Sequence, residues 1–301
     1  MRKVLLLAIV ILMLSGCDYI PVNYQGLETE GEQEELVEET GEVLVSCNVT
    51  VEGMDSEVTT RGMTVDGAEM TNLWVFDCKT NGCILMAQQG SGDKDFGKVK
   101  FSVSRGEHLL AFVVSRGDDA EWSEATGNIV WGKVKDTFWT TRNLDTTDGA
   151  PAQLNVSLDR IAGKIGATFM DVIPSELKKV TTYMSNWYYG ISLKTGEGVG
   201  GLNSEASTSG EVEVDVPAAY VGSTGLQVSV WGFSRQAGFT TDVDFVWRYV
   251  DGSTITEKRC EDVPVFKNRV TKITGKMLEE EASVDIGLNG TWGEDYEYGM
   301  K

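Results

Sequence analysis

One histidine, His108, and five cysteines carry most of the chemistry this chain could do. A Ser-His-Asp or Cys-His arrangement would have only His108 as its base. That residue lies between Glu107 and the apolar run Leu109–Val114, where a histidine at a strand edge is the default reading. Cys17, Cys47, Cys78, Cys83 and Cys260 contain no Cys-x-x-Cys pair, so no structural zinc site is expected. The Gly196–Gly201 stretch lacks the strand-to-helix setting and the lysine of a phosphate cradle and reads as a loop. Carboxylates are plentiful, but a catalytic pair of them cannot be told from surface charge in a sequence. Three Asn-x-Ser/Thr triplets, at Asn48, Asn155 and Asn289, are short enough to arise by chance. The chain therefore reads as no enzyme, with no catalytic residue, metal or cofactor.

Cys78 and Cys83 flank Lys79-Thr80-Asn81-Gly82, whose Asn-Gly step is a turn signal. Phe76–Leu85 then forms a hairpin with both cysteines near its tip. They either pair there, as an oxidising compartment allows, or remain thiols. Cys47 and Cys260 read as small apolar residues.

Cys17 stands apart. Arg2 and Lys3 precede the apolar run Val4–Leu14, too short to span a bilayer and suited to a secretory signal. The run ends in Leu14-Ser15-Gly16-Cys17, similar to the bacterial lipobox, in which the cysteine thiol takes a diacylglycerol. Residues 1–16 are expected to be a lipoprotein signal peptide. Residues 17–42 are an acidic tether, with eight glutamates between Glu28 and Glu42 and too little apolar surface to offset ordering. An acidic tail that binds a partner is the other reading of that segment. A net charge of −20 argues against nucleic acid and anionic membrane surfaces as partners.

The elements beyond the tether are short runs of period-two alternation separated by Gly, Asn, Asp and Ser. Val43, Val45, Cys47, Val49 and Val51 predict a half-buried strand over 43–51. Strands are expected around Leu73–Phe76, Val99–Val103, Ile129–Trp131, Ile165–Phe169, Val212–Val216, Val228–Val230, Val243–Tyr249, Val270–Met277 and Val284–Trp292. Leu109–Val114 is apolar throughout and suits a strand buried on both faces. Pro174–Tyr183 alone hints at a helical turn. The polar stretch 145–153 marks a boundary, so the expected fold is all-β, with one β-sandwich over 43–153 and a second over 154–301. Trp74, Trp231 and Trp247 sit in alternating runs and read as core.

The order of these pieces resembles the fimbrillin family, the lipoprotein pilins of Bacteroidota. Glu42-Val-Leu-Val-Ser-Cys-Asn-Val-Thr-Val51 is followed by Thr59-Thr60-Arg61-Gly62, then by Thr71-Asn-Leu-Trp-Val-Phe-Asp77. Leu158-Asp-Arg-Ile-Ala-Gly-Lys-Ile165 is similar to the Arg-x-x-Ala-x-Ile stretch that opens the family's second domain. Phe266-Lys-Asn-Arg-Val-Thr-Lys-Ile-Thr-Gly-Lys276 and Val284–Trp292 resemble its last strands. The resemblance implies two transthyretin-like β-sandwiches and an outer-membrane lipoprotein precursor cut by an arginine-specific surface protease at Arg61-Gly62. The leaving strand would carry Val43, Val45, Cys47, Val49 and Val51. A donor strand from another fimbrial subunit, carrying Val284, Ile286, Leu288 and Trp292, would fill the groove. The polymer would be an extracellular fimbrium that supports adhesion. An anchor or tip subunit, or a surface lipoprotein that binds glycans through exposed tryptophans, are the alternatives.

Overall fold

A computed structural model describes residues 41–53, 63–65, 68–117, 119–235 and 237–279, and the backbone of 285–289 and 295–298. Cys17, Arg61, Gly62, Val284 and Trp292 lie outside the described residues. The described chain is all-β. Its first half supplies β1 (Glu42–Val51), β2 (Thr64–Val65), β3 (Ala68–Glu69), β4 (Asn72–Lys79), β5 (Gly82–Gly90), β6 (Lys98–Ser104), β7 (Glu107–Ser115), β8 (Ala120–Ser123), β9 (Asn128–Trp131), β10 (Thr137–Asp145) and β11 (Ala152–Arg160). The second supplies β12 (Ala162–Phe169), β13 (Lys179–Trp187), β14 (Gly190–Ser192), β15 (Gly198–Val199), β16 (Thr208–Asp215), β17 (Leu226–Phe233), β18 (Phe239–Arg248), β19 (Thr254–Val265), β20 (Val270–Gly275), β21 (Asp285–Asn289) and β22 (Asp295–Tyr298).

Seven strands form one sheet in the order β5-β4-β7-β10-β11-β1-β6. Alternation explains the roll of this sheet: Val43 to Val51 on β1, Val99 to Val103 on β6, and Val156 and Leu158 on β11 turn one face into a shared core. The first and last strands meet at Gln89. Its Nε2 donates to the Lys98 carbonyl (3.0 Å) and its Oε1 accepts the Gly97 N–H (2.9 Å). A side chain thus ties together two edges that share no ladder.

A five-stranded sheet, β17-β12-β20-β21-β22, faces a four-stranded one, β16-β13-β18-β19, over a second core built on Phe169, Trp187, Phe245 and Trp247. A small sheet, β15-β14-β9-β8, draws strands from both halves. Beneath it lies a third core, where Trp74, Phe76 and Val113 meet Trp131, Ile191 and Phe233. Gly190 permits this pairing, since a Cβ there would fall 2.2 Å from the Ile129 carbonyl oxygen. Residues 153 and 154 both lie within β11, which belongs to the seven-stranded sheet.

Three local expectations change. The helical turn foreseen at Pro174–Tyr183 shrinks to one turn closed by Leu177 N–H to the Pro174 carbonyl (3.2 Å), and β13 starts at Lys179. Val180, Thr181 and Thr182 are all buried there, so pairing with β16 and β18 overrides the helix-forming Ser-Glu-Leu-Lys lead-in. The Gly196–Gly201 loop contains the two-residue β15. His108 is buried in a strand with neighbours on both sides, rather than at an edge.

Candidate functional site

The most distinctive arrangement is the seat of β1. It is the first described element of the chain, yet it lies inside the seven-stranded sheet. It runs parallel to β11 from Val45↔Ala152 to Val51↔Leu158 and antiparallel to β6 from Glu42↔Ser104 to Asn48↔Lys98. Its ten residues suit that place: β-branched valines fill the pleat, and five inward side chains are each no more than 4 % exposed. At roughly 1.5–3 kcal/mol per fully buried side chain, they contribute on the order of 10 kcal/mol as an upper bound. The outward face carries Leu44, Ser46, Asn48 and Thr50. Backbone bonds extend the ladder beyond the strand at both ends: Arg105 N–H to the Gly41 carbonyl (3.0 Å) and Glu52 N–H to the Leu158 carbonyl (2.9 Å).

Removing β1 would separate β6 from β11. It would leave two rows of unpaired backbone groups and a line of apolar pockets at alternate positions, a template for another strand. The chain is described again at Met63, which is buried in the same core, as are Val65 and Met70. Cys47 is one of the groove-filling residues, and burial pushes its thiol up to about 11. Burial does the same to Cys260 in the second core. Both cysteines are free and pack as apolar groups.

At the other end of the chain, β21 pairs with β20 through Ile273↔Ile286 and Thr271↔Leu288, and with β22 through Ile286↔Tyr298 and Leu288↔Tyr296. Ile286 and Leu288 therefore lie on a strand with neighbours on both sides.

The remaining candidates are structural. Cys78 and Cys83 face each other across the β4–β5 hairpin and are joined by a disulfide. The hairpin tip abuts the β8–β9 turn so closely that a Cβ at Gly82, where φ is +136°, would sit 1.9 Å from the Glu124 carbonyl oxygen. His108 lines an open cleft of about 750 Å³ together with Lys79, Glu107, Asn143 and Asp145. Its Nδ1 lies 2.9 Å from Asp77 Oδ2 and its Nε2 2.8 Å from the Ser104 carbonyl oxygen. Both ring nitrogens are engaged, whereas a general base needs one within reach of substrate. Of the described tryptophans, Trp74, Trp131, Trp187 and Trp247 are buried and Trp122, Trp139 and Trp231 half-buried, so none is fully exposed.

Sequence reasoning missed the junction between the halves. Arg160, at the end of β11, forms a two-pronged pair with Asp136 (Nε–Oδ1 2.9 Å, Nη2–Oδ2 3.0 Å) and lies over the Phe138 ring at 5.0 Å. Both partners are buried. Nearby, burial lowers the pKa of Lys164, with Asp136 opposing the shift. The only sequence signal was Arg160 itself, within a stretch singled out for its likeness rather than for charge pairing.

The described residues define an all-β protein whose first strand is embedded within its largest sheet. The chain belongs to a family of unknown function, DUF6562, whose profile matches residues 124–301. No curated protein matches it. Solved structures similar to it include a candidate adhesin from Bacteroides ovatus (TM-score 0.49, 9 % identity, covering 78 % of this chain and 88 % of that one). Another is the fimbrial anchor protein Mfa2 from Porphyromonas gingivalis (0.48, 11 %, 85 % and 100 %). A third is the C-terminally truncated tip fimbrial protein Mfa3 from the same organism (0.39, 11 %, 85 % and 100 %).

Proposed function

We propose that the chain is a structural subunit of cell-surface fimbriae. It is made as an outer-membrane lipoprotein precursor anchored through Cys17, cut by an arginine-specific surface protease between Arg61 and Gly62, and polymerised with other subunits by strand exchange in support of adhesion. The observation that carries this reading is the seat of β1. A terminal strand wedged between β6 and β11 can depart without breaking the covalent path through the rest of the sheet. Its five inward side chains leave pockets of the kind a replacement strand needs. Arg61 follows the end of β1 by ten residues, within a polar stretch. The two sandwiches of this reading divide after Arg160, because β11 serves the first sheet.

A second reading, an anchor or tip subunit that donates no strand, is favoured by the pairing of β21 on both sides within its own chain. An anchor would keep both its lipid and β1. Intact mass and N-terminal sequencing of protein sheared from the cell surface separates a processed subunit, stalk or tip, from an anchor. A species starting at Gly62 in high-mass polymers supports the processed subunit. A lipidated species starting at Cys17 and retained by the membrane overturns the cleavage and leaves an anchor subunit or a glycan-binding lipoprotein.

A further inference from the structure

We infer that β1 is a mechanical clamp: in the uncut chain it carries tension between the N-terminal tether and the second half as a ladder loaded in shear. The topology sets the direction of load. Parallel strands have their starts at the same end, so Gly41 leads into β1 at one end of the pair while Arg160 leaves β11 at the other. Tension applied at those two points acts along the strands. It must slide β1 past β11 and β6 at once, across seven registered pairs on each side. The hydrogen bonds then share the load, whereas a ladder opened from one end gives way pair by pair.

Side chains add to the resistance. A slip of one residue turns Val43, Val45, Cys47, Val49 and Val51 out of the core together, so the nearest register that keeps them inside lies two residues along. Both ends of the path are pinned. Where β1 begins, Gly41 accepts the Arg105 N–H at 3.0 Å; where β11 ends, Ile161 N–H donates to the Thr137 carbonyl at 3.0 Å beside the Arg160–Asp136 pair. The device needs only intact backbone from Gly41 through β1. It stands whether or not the chain is later processed.

Single-molecule pulling tests it on the full chain carrying Cys17→Ala, with handles placed by non-thiol chemistry at exposed positions. Handles at Gly41 and Asp159 load the β1–β11 ladder in shear; handles at Gly41 and Ser104 peel β1 from β6, starting at Glu42↔Ser104. At one loading rate the first rupture is expected at a force at least about threefold higher in the shear geometry, forced unfolding being governed by the barrier along the pulled coordinate. Equal forces, or a lower force for Gly41–Asp159, would overturn the clamp. Arg61 stays intact in both arms, so neither outcome bears on processing.

Discussion

Asp136 and Arg160 show how much a single buried pair can matter at a junction. Removing the carboxylate breaks a buried two-pronged ion pair, a change worth roughly 3–5 kcal/mol. Asp136→Ala is therefore expected to lower stability by that amount in urea titrations, with Asp136→Asn falling between it and the parent. A loss under 1 kcal/mol would mean that water or a neighbour takes over the guanidinium. Cys47 and Cys260 give a second prediction, with a defined sign. Their folded thiols titrate at about 11 against an ordinary 9.0, so the folded state holds its protons more tightly. Their contribution is complete below pH 9 and is lost as pH rises toward 11, by about 2–3 kcal/mol per thiol. Denaturation midpoints followed across that window should fall, and fall less in a Cys47→Ala, Cys260→Ala chain.

The strand is the scale at which the proposed assembly stands or fails. A chain starting at Gly62 is expected to be less stable than the parent, and to regain stability when a synthetic Glu42–Val51 peptide is added. The same peptide carrying aspartate at the Val45 and Val49 positions should give no rescue, because it would bury two carboxylates in the groove. If the shortened chain melts like the parent, β1 is not needed to hold β6 and β11 together. The strand itself was plain in the sequence: five apolar residues at every second position leave little else for 43–51 to be. Its seat was not, because pairing with β11 joins residues about a hundred positions apart and alternation says nothing of who pairs with whom. β13 escaped notice for the opposite reason. Its buried Val180, Thr181 and Thr182 run consecutively, which erases the alternation. β14 and β15 are three- and two-residue strands that hang on the pairing of β14 with β9, and no local pattern encodes that.

A net charge of −20 acts on the molecule as a whole. Self-repulsion of that size opposes the compact state and is screened by salt. Raising NaCl from about 20 to 300 mM should thus move the urea midpoint upward. A downward shift would show that local ion pairs, such as Arg259 with Asp242 and Asp244, outweigh the global charge. The Gln89 latch between β5 and β6 has its own effect at this scale. A sheet joined into a hoop behaves like a cask: with one stave drawn, the closed seam beside the gap holds the others at their spacing. The slot left by β1 would then keep its width and direction, like a keyway, and admit only an insert that enters along its axis with the right spacing of apolar teeth. Selectivity for the incoming strand would thus be set by a glutamine one strand away from the slot, where β5 meets β6, and Gln89→Ala should loosen the choice of insert rather than abolish insertion.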